Sequence, residues 1–498
     1  MRDRKNRAGP GGGPATDSIY PDTYFRELSP AWLNYVAALS SVPSPSLSGR
    51  FTYLELGCGR GHSAIVHAGA FPQGKFHACD LNPAHIEAAE RRTAALGIHN
   101  IRFHEASFED LLQEPLPSFD FIVLHGVYGW VPARDQEAIR SLIRRRLSAA
   151  GLVYVSYNCL PGWASEVPVR RLLVELAPTA TGDSLEQTRQ ALHALGRLSD
   201  SRLRYLDSHP GAAAAVRSCA GSPVEYIAHE FMSEAWEAFY CIDVADQMAE
   251  AGLRYAGSAT LTDNHAGLLI DDATAANIAG LPTERQRRLA LDFACNPHFR
   301  RDVFFRPSAT GAMCDRSLRT DDAIIGAIGD PERIDTAVKV PRGALHFQAD
   351  FAEAVRSLMA GGSTTIADAA AALSGAGLHD ARIIRNLLYL VAAGSLTPFA
   401  KVRRHGHSLG RHVRWADLQP ANATVTRTLA FAVAQGSACV IPSEVLGGGV
   451  RIELAEAVAL TESLGRASES AATGGSDGSL DALALRLLRL GILTGDER

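Results

Sequence analysis

Lysine is scarce in this sequence. Only Lys5, Lys75, Lys339 and Lys401 occur in 498 residues, the rest of the positive charge is arginine, and the net charge is −5. No global basic field exists to draw in nucleic acid. Regular cysteine spacing is also missing: eight cysteines include no C-x-x-C pair, which argues against a zinc site or a disulfide framework. A reducing compartment, the cytoplasm, is therefore expected. No apolar run is long enough to span a bilayer. Residues 1–16 are basic and rich in glycine and proline, lack the apolar core of a signal peptide, and are expected to form a disordered tail. The composition is that of a globular protein, and the length calls for two or three domains.

The most informative segment runs from Tyr53 through Glu55 to Gly57-Cys58-Gly59-Arg60-Gly61, and is followed by Phe76-His77-Ala78-Cys79-Asp80. An apolar strand meets three alternating glycines, then a helix, a second strand, and an acid roughly 20 residues past the last glycine. Glycine serves there because a Cβ would obstruct the turn and the approach of a ligand. Asp80 is placed to accept ribose hydroxyls. The spacing alone also suits a nicotinamide or flavin enzyme. A dinucleotide fingerprint, however, reads G-x-G-x-x-G and holds a pyrophosphate. Here Glu55 stands two residues before the first glycine, where it would repel a pyrophosphate and attract a cationic amino-acid group.

Further along, Ser29-Pro30 caps a helix carrying Trp32, Leu33, Val36 and Leu39, which is expected to lie across the ligand as a lid. Asn82-Pro83 opens a helix that closes at Gly97. Residues 101–104 alternate as a third strand, and its end brings Ser107 and Phe108 to the adenine position over the carboxyl ends of a doubly wound sheet. Residues 119–124 form a buried fourth strand that delivers His125 to Trp130 to the same rim. The fifth strand, 151–155, ends in Ser156-Tyr157-Asn158 and leads to Pro161-Gly162-Trp163. Two more strands are expected at 252–257 and 302–306.

These motifs resemble those of class I S-adenosylmethionine-dependent methyltransferases carrying a methyltransferase regulatory domain, an architecture shared with the rickettsial outer-membrane-protein lysine methyltransferases. The resemblance rests on Glu55 to Gly61, Phe121 to Pro132, Ser156 to Trp163, and the helical segment beginning at Tyr226-Ile227-Ala228-His229-Glu230. It implies an α/β fold with a Rossmann-like sheet over 17–310, a helical insertion at about 170–245, and a linker over 311–340. Mainly helical, winged-helix-like units would follow at 341–415 and 416–498. It implies S-adenosylmethionine as cofactor, bound by Glu55, Gly57, Cys58, Gly59, Gly61, Asp80, Leu81, Ser107, Phe108 and His125.

The acceptor expected is a protein or peptide nitrogen, with lysine favoured. Its free pKa of about 10.4 keeps the amine charged at neutral pH, so desolvation between aromatic walls would help to neutralise it. Tyr128, Trp130, Tyr157 and Trp163 are candidates for those walls, and Asn158 for a hydrogen bond to the acceptor. His125 either touches cofactor or relays a proton, or is a structural hydrogen-bonder. The tryptophans have an equal claim as core anchors. The Asn/Asp-Pro-Pro-aromatic sequence of many nitrogen methyltransferases is replaced by His125-Gly126-Val127-Tyr128. His229-Glu230 lacks the second histidine of a zinc motif, position 233 being Ser, so no metal is expected. A small-molecule methyltransferase remains an alternative. So does a cofactor-sensing regulator that uses the basic run from Lys401 to Trp415 on DNA or a partner.

Overall fold

The computed structural model describes residues 23–178, 183–233, 235–307, 318–378, 382–403, 418–469 and 478–495. The expected N-terminal tail, and the basic run beyond Arg403, lie outside the described residues. Among those described, no helix is long and apolar enough to cross a membrane.

The strands are β1 (Thr52–Leu56), β2 (Lys75–Asp80), β3 (Ile101–Glu105), β4 (Phe119–Leu124), β5 (Leu147–Leu160), β6 (Ala238–Tyr240), β7 (Arg254–Ser258) and β8 (Phe299–Phe305). They form one sheet in the order β3-β2-β1-β4-β5-β8-β7, with β6 beside the far end of β5. β1 to β5 are parallel, whereas β8 runs antiparallel to both of its neighbours. Buried on two faces, the central strands read as near-continuous apolar runs. Alternate residues feed two cores: Tyr53, Val123 and Tyr154 face one, and Leu54, Leu56, Val155 and Tyr157 the other. The helices obey their local signals. Asn82 accepts the Ala84 amide at the start of Pro83–Leu96, and Gly97 ends that helix at φ +65°.

Four sequence expectations change. First, β5 does not stop at 155 but continues to Leu160, because β6 and β8 pair with Asn158 and so extend the ladder beyond the edge of β4. Second, helix Pro30–Leu39 is not a lid. Residues 30 to 38 are all buried, the Trp32 indole donates to the Ala259 carbonyl at 2.9 Å, and Thr320 bonds the Ala38 carbonyl at 2.9 Å. An apolar stripe with hydrogen-bond partners on two sides makes a strut between sheet and C-terminal region. Third, the penultimate strand is shifted to Arg254–Ser258. Fourth, the stretch read as a linker carries strand Ile324–Gly326, which pairs with Thr364–Thr365 and Thr397–Phe399, and a hairpin of Ala337–Val340 with Gly343–His346.

Helices Val167–Glu175, Ser184–Ser199, Arg204–Ser208, Pro210–Gly221 and Val224–Phe231 are inserted between β5 and β6 around a separate core that includes Trp130, Trp163 and Trp236. C-terminal to the sheet, two units share one order. Strand Ile324–Gly326, helix Ala349–Ala360, strand Thr364–Thr365, helices Ile366–Gly375 and Ile383–Ala392 and strand Thr397–Phe399 make the first. Strand Leu418–Pro420, helix Ala423–Gln435, hairpin Cys439–Ser443/Gly448–Ile452, helices Leu454–Glu469 and Gly478–Arg489 and strand Leu493–Gly495 make the second. The Gly-x-Leu-Thr turns at Gly394 and Gly491 each deliver the closing strand. The second hairpin packs on helix His62–Ala70, so closely that a Cβ on Gly69 would lie 2.7 Å from Pro442.

Candidate active site

At the carboxyl end of β1, Gly57, Gly59 and Gly61 have φ of +67°, +54° and +71°, a region that side chains disfavour. Space forbids a side chain at two of them as well: a Cβ on Gly57 would sit 2.5 Å from Val127 Cγ2, and one on Gly61 2.8 Å from Phe103. Between them the Cys58 amide donates to the Cys79 carbonyl at 2.9 Å, tying the turn to β2.

Asp80 ends β2. Its Oδ2 accepts the Gly59 amide at 2.8 Å, and its Oδ1 accepts the Asn82 amide at 2.9 Å and lies 3.2 Å from His85 Nδ1. A carboxylate has about four acceptor positions, so capacity remains for a ribose. Leu81, next in sequence, is 63% exposed and offers an apolar surface beside it. Ser107 caps helix Phe108–Gln113, accepting the Asp110 amide at 3.1 Å and donating to its carboxylate at 2.8 Å. Its hydroxyl thus serves the helix, while Phe108 packs half-buried against the neighbouring core.

Glu55 is buried, and its Oε2 has no hydrogen-bond partner among the described residues. Burial first, and then the charge of Asp80, push its pKa up to about 8. A buried carboxyl group that keeps its proton for want of a cation suits the amino group of S-adenosylmethionine, beside which it would ionise. The residues present therefore fit that cofactor.

Strand register defines the floor of the site. Glu55, Val123, Tyr154 and Val303 share a row. One step further towards the rim, on the same face, come His125, Ser156 and Arg301, and the next row is Asn158 with Phe299. His125 Nδ1 lies 2.8 Å from the Tyr154 hydroxyl, and its ring stands 3.9 Å from Phe25 and 5.7 Å from Phe299, centroid to centroid. Burial, aided by Arg301, lowers its pKa to about 3, so the imidazole is neutral at physiological pH. Ser156 Oγ accepts the Gly126 amide at 2.9 Å and fixes the turn after β4. Asn158 is buried and donates to Glu230 at 3.3 Å.

All four expected wall residues sit elsewhere. Tyr157 falls between Ser156 and Asn158 on an extended strand and so points to the opposite face. There its hydroxyl donates to Asp302 Oδ2 at 2.5 Å, Asp302 pairs with Arg300 at 2.9 Å, and Arg300 pairs with Asp292 at 2.5 Å, all buried. Tyr128 is fully buried on that side too, with its hydroxyl 2.6 Å from Gln247 and 2.8 Å from Arg140. Trp130 and Trp163 belong to the core of the insertion, and the Trp163 indole donates to the His298 carbonyl at 2.9 Å. The sequence reading missed Phe25, Ser156, Arg301 and Glu230. Period-two alternation carried through β5 and its antiparallel neighbour would have found Ser156 and Arg301; Glu230, on a helix remote in sequence, left no such signal.

A methyltransferase domain profile matches residues 54–153, and a profile described as "Predicted methyltransferase regulatory domain" matches residues 223–306. An uncharacterized protein of Synechocystis is 36% identical, with 58% of this chain and 57% of that protein aligned. One from Rickettsia prowazekii is 28% identical, covering 61% and 54%. The chain thus spans a little over half the length of these two relatives. Among solved structures, PKMT2 from Rickettsia typhi superposes with a TM-score of 0.65 at 18% identity over 95% of this chain and 99% of that one. The same protein in complex with AdoHcy gives 0.64. Strand order and glycine turn are those of the Rossmann-like methyltransferase fold, and the two matched segments give the chain a methyltransferase domain and a methyltransferase regulatory domain.

Proposed function

We propose that the protein transfers a methyl group from S-adenosylmethionine to a polypeptide nitrogen, the side-chain amine of lysine. The observation that supports the acceptor reading is the apolar surround that Phe25, Phe299 and the neutral His125 make at the rim of the sheet, where a deprotonated amine is favoured. Likeness across nearly the whole chain to PKMT2, and the resemblance of the motifs to the rickettsial lysine methyltransferases, support it.

When bound, S-adenosylmethionine supplies a methyl group on a cationic sulfur that leaves as a neutral thioether. The protein therefore needs alignment and water exclusion more than acid–base machinery. Gly57 to Gly61 and Asp80 hold the nucleoside part, and Glu55 the amino group. Phe25, Phe299 and the neutral His125 form the apolar surround in which a deprotonated amine is favoured.

Incubation with methyl-labelled cofactor and a cell lysate tests the reading. Label in protein bands is expected. Label confined to the small-molecule fraction would mean a small-molecule methyltransferase instead.

A further inference from the structure

Helix Val224–Phe231 of the regulatory segment leans over the end of β5 and puts Glu230 against Asn158. Glu230 is half-buried, and among the described residues it has no ion-pair partner. Its desolvation is opposed only by the Asn158 bond. A carboxylate drawn out of water without a cation is unfavourable unless a ligand provides one. Further out, Glu166 lies 3.2 Å from His298, and its Oε2 is buried without a hydrogen-bond partner among the described residues. Tyr226, 52% exposed on the same helix as Glu230, stands in the field of both carboxylates. Tyr226 thus lies near both acids, and Glu230 in turn reaches Asn158, one row beyond His125.

We propose that Glu230, together with Asn158, holds the acceptor as a primary alkylammonium, and that Glu166 and Tyr226 line its approach. The inference rests on the lysine reading above and assigns a positioning role to the regulatory domain. One proton of the ammonium passes to bulk water, and a remaining N–H stays bonded to Glu230, which aims the freed lone pair. That pair forms the N–C bond to the methyl carbon as the C–S bond breaks. The bonding electrons stay on sulfur, leaving a methylammonium and a neutral thioether.

The test compares wild type with Glu230→Gln, Glu230→Asp and Glu166→Gln on the lysate protein that wild type labels. Glu230→Gln is expected to raise the KM for that protein at least tenfold while S-adenosylhomocysteine affinity, measured by calorimetry, stays within twofold. Glu230→Asp is expected to recover part of the loss, and Glu166→Gln to raise KM about threefold. n-Butylammonium should compete with the protein acceptor in wild type and not in Glu230→Gln. Unchanged KM in both Gln variants would overturn the inference and leave the lysine reading standing. A wild type that labels no protein would overturn both. If Glu230→Gln fails to bind S-adenosylhomocysteine, Glu166→Gln and the n-butylammonium competition in wild type decide the matter.

Discussion

Asp80 Oδ2 accepts the backbone amide of Gly59 at 2.8 Å, so the acid assigned to the ribose also braces the glycine turn. Asp80→Ala removes both functions. With one charge-assisted hydrogen bond contributing about 1.5–3 kcal/mol, cofactor affinity should fall roughly 10- to 150-fold. Calorimetric titration with S-adenosylhomocysteine checks this. Unchanged affinity would show that another acid holds the ribose.

Glu55 gives a proton-linked prediction. With a pKa raised to about 8 in the free protein it is mostly protonated at pH 7, and an ammonium docked beside it favours the carboxylate. Cofactor binding at pH 7 should therefore release close to one proton, seen as a dependence of the calorimetric enthalpy on buffer ionisation heat. Glu55→Gln should release none. The sign for folding follows from the same shift. The folded protein keeps this proton from about 4.5, where the unfolded chain gives it up, to about 8, so the contribution is full below 4.5 and is lost as pH rises through 8. Glu55→Gln should flatten that slope.

His125 behaves in the opposite sense. Its pKa is depressed from 6.5 to about 3, so its contribution to stability is complete above 6.5 and is lost as pH falls towards 3. The rate of methyl transfer should show no limb from this imidazole between pH 6 and 9, and its NMR shifts should stay constant over that range. A titration near pH 6.5 would contradict the buried, neutral geometry.

The buried network of Tyr157, Asp302, Arg300 and Asp292 separates a core role from a wall role. Tyr157→Phe deletes one buried hydrogen bond and should lower stability by about 1–3 kcal/mol with the acceptor KM unchanged. Arg300→Met strands two carboxylates and should cost about 3–5 kcal/mol. Chemical denaturation gives the first quantity and steady-state kinetics the second. A KM effect from Tyr157→Phe with normal stability would restore the wall assignment.

The parts of the fold that local chemistry dictates were legible in the sequence. The glycine turn, the Asn82-Pro83 and Gly97 helix ends, the buried strands and the repeated Gly-x-Leu-Thr turn all follow from backbone preferences within a few residues. The acceptor side was less legible because β5 is longer than its apolar run. Once paired with β6 and β8 it forces Tyr157 away from Asn158. Helix Pro30–Leu39 was misplaced as a lid because its apolar face shows that it is buried without showing by what; its partners, Ala259 and Thr320, lie more than 200 residues away. Glu230 reaches Asn158 across 72 positions and could be found only from the folded chain.

The central claim, methyl transfer to lysine, is tested most directly by the chemical form of the transferred label. Protein labelled by the purified enzyme in a lysate is hydrolysed in acid, and the amino acids are separated. The account predicts that the label elutes as N-methylated lysine and that Asp80→Ala strongly reduces it. Label recovered as methylarginine, as a base-labile methyl ester, or only outside the protein fraction would contradict it.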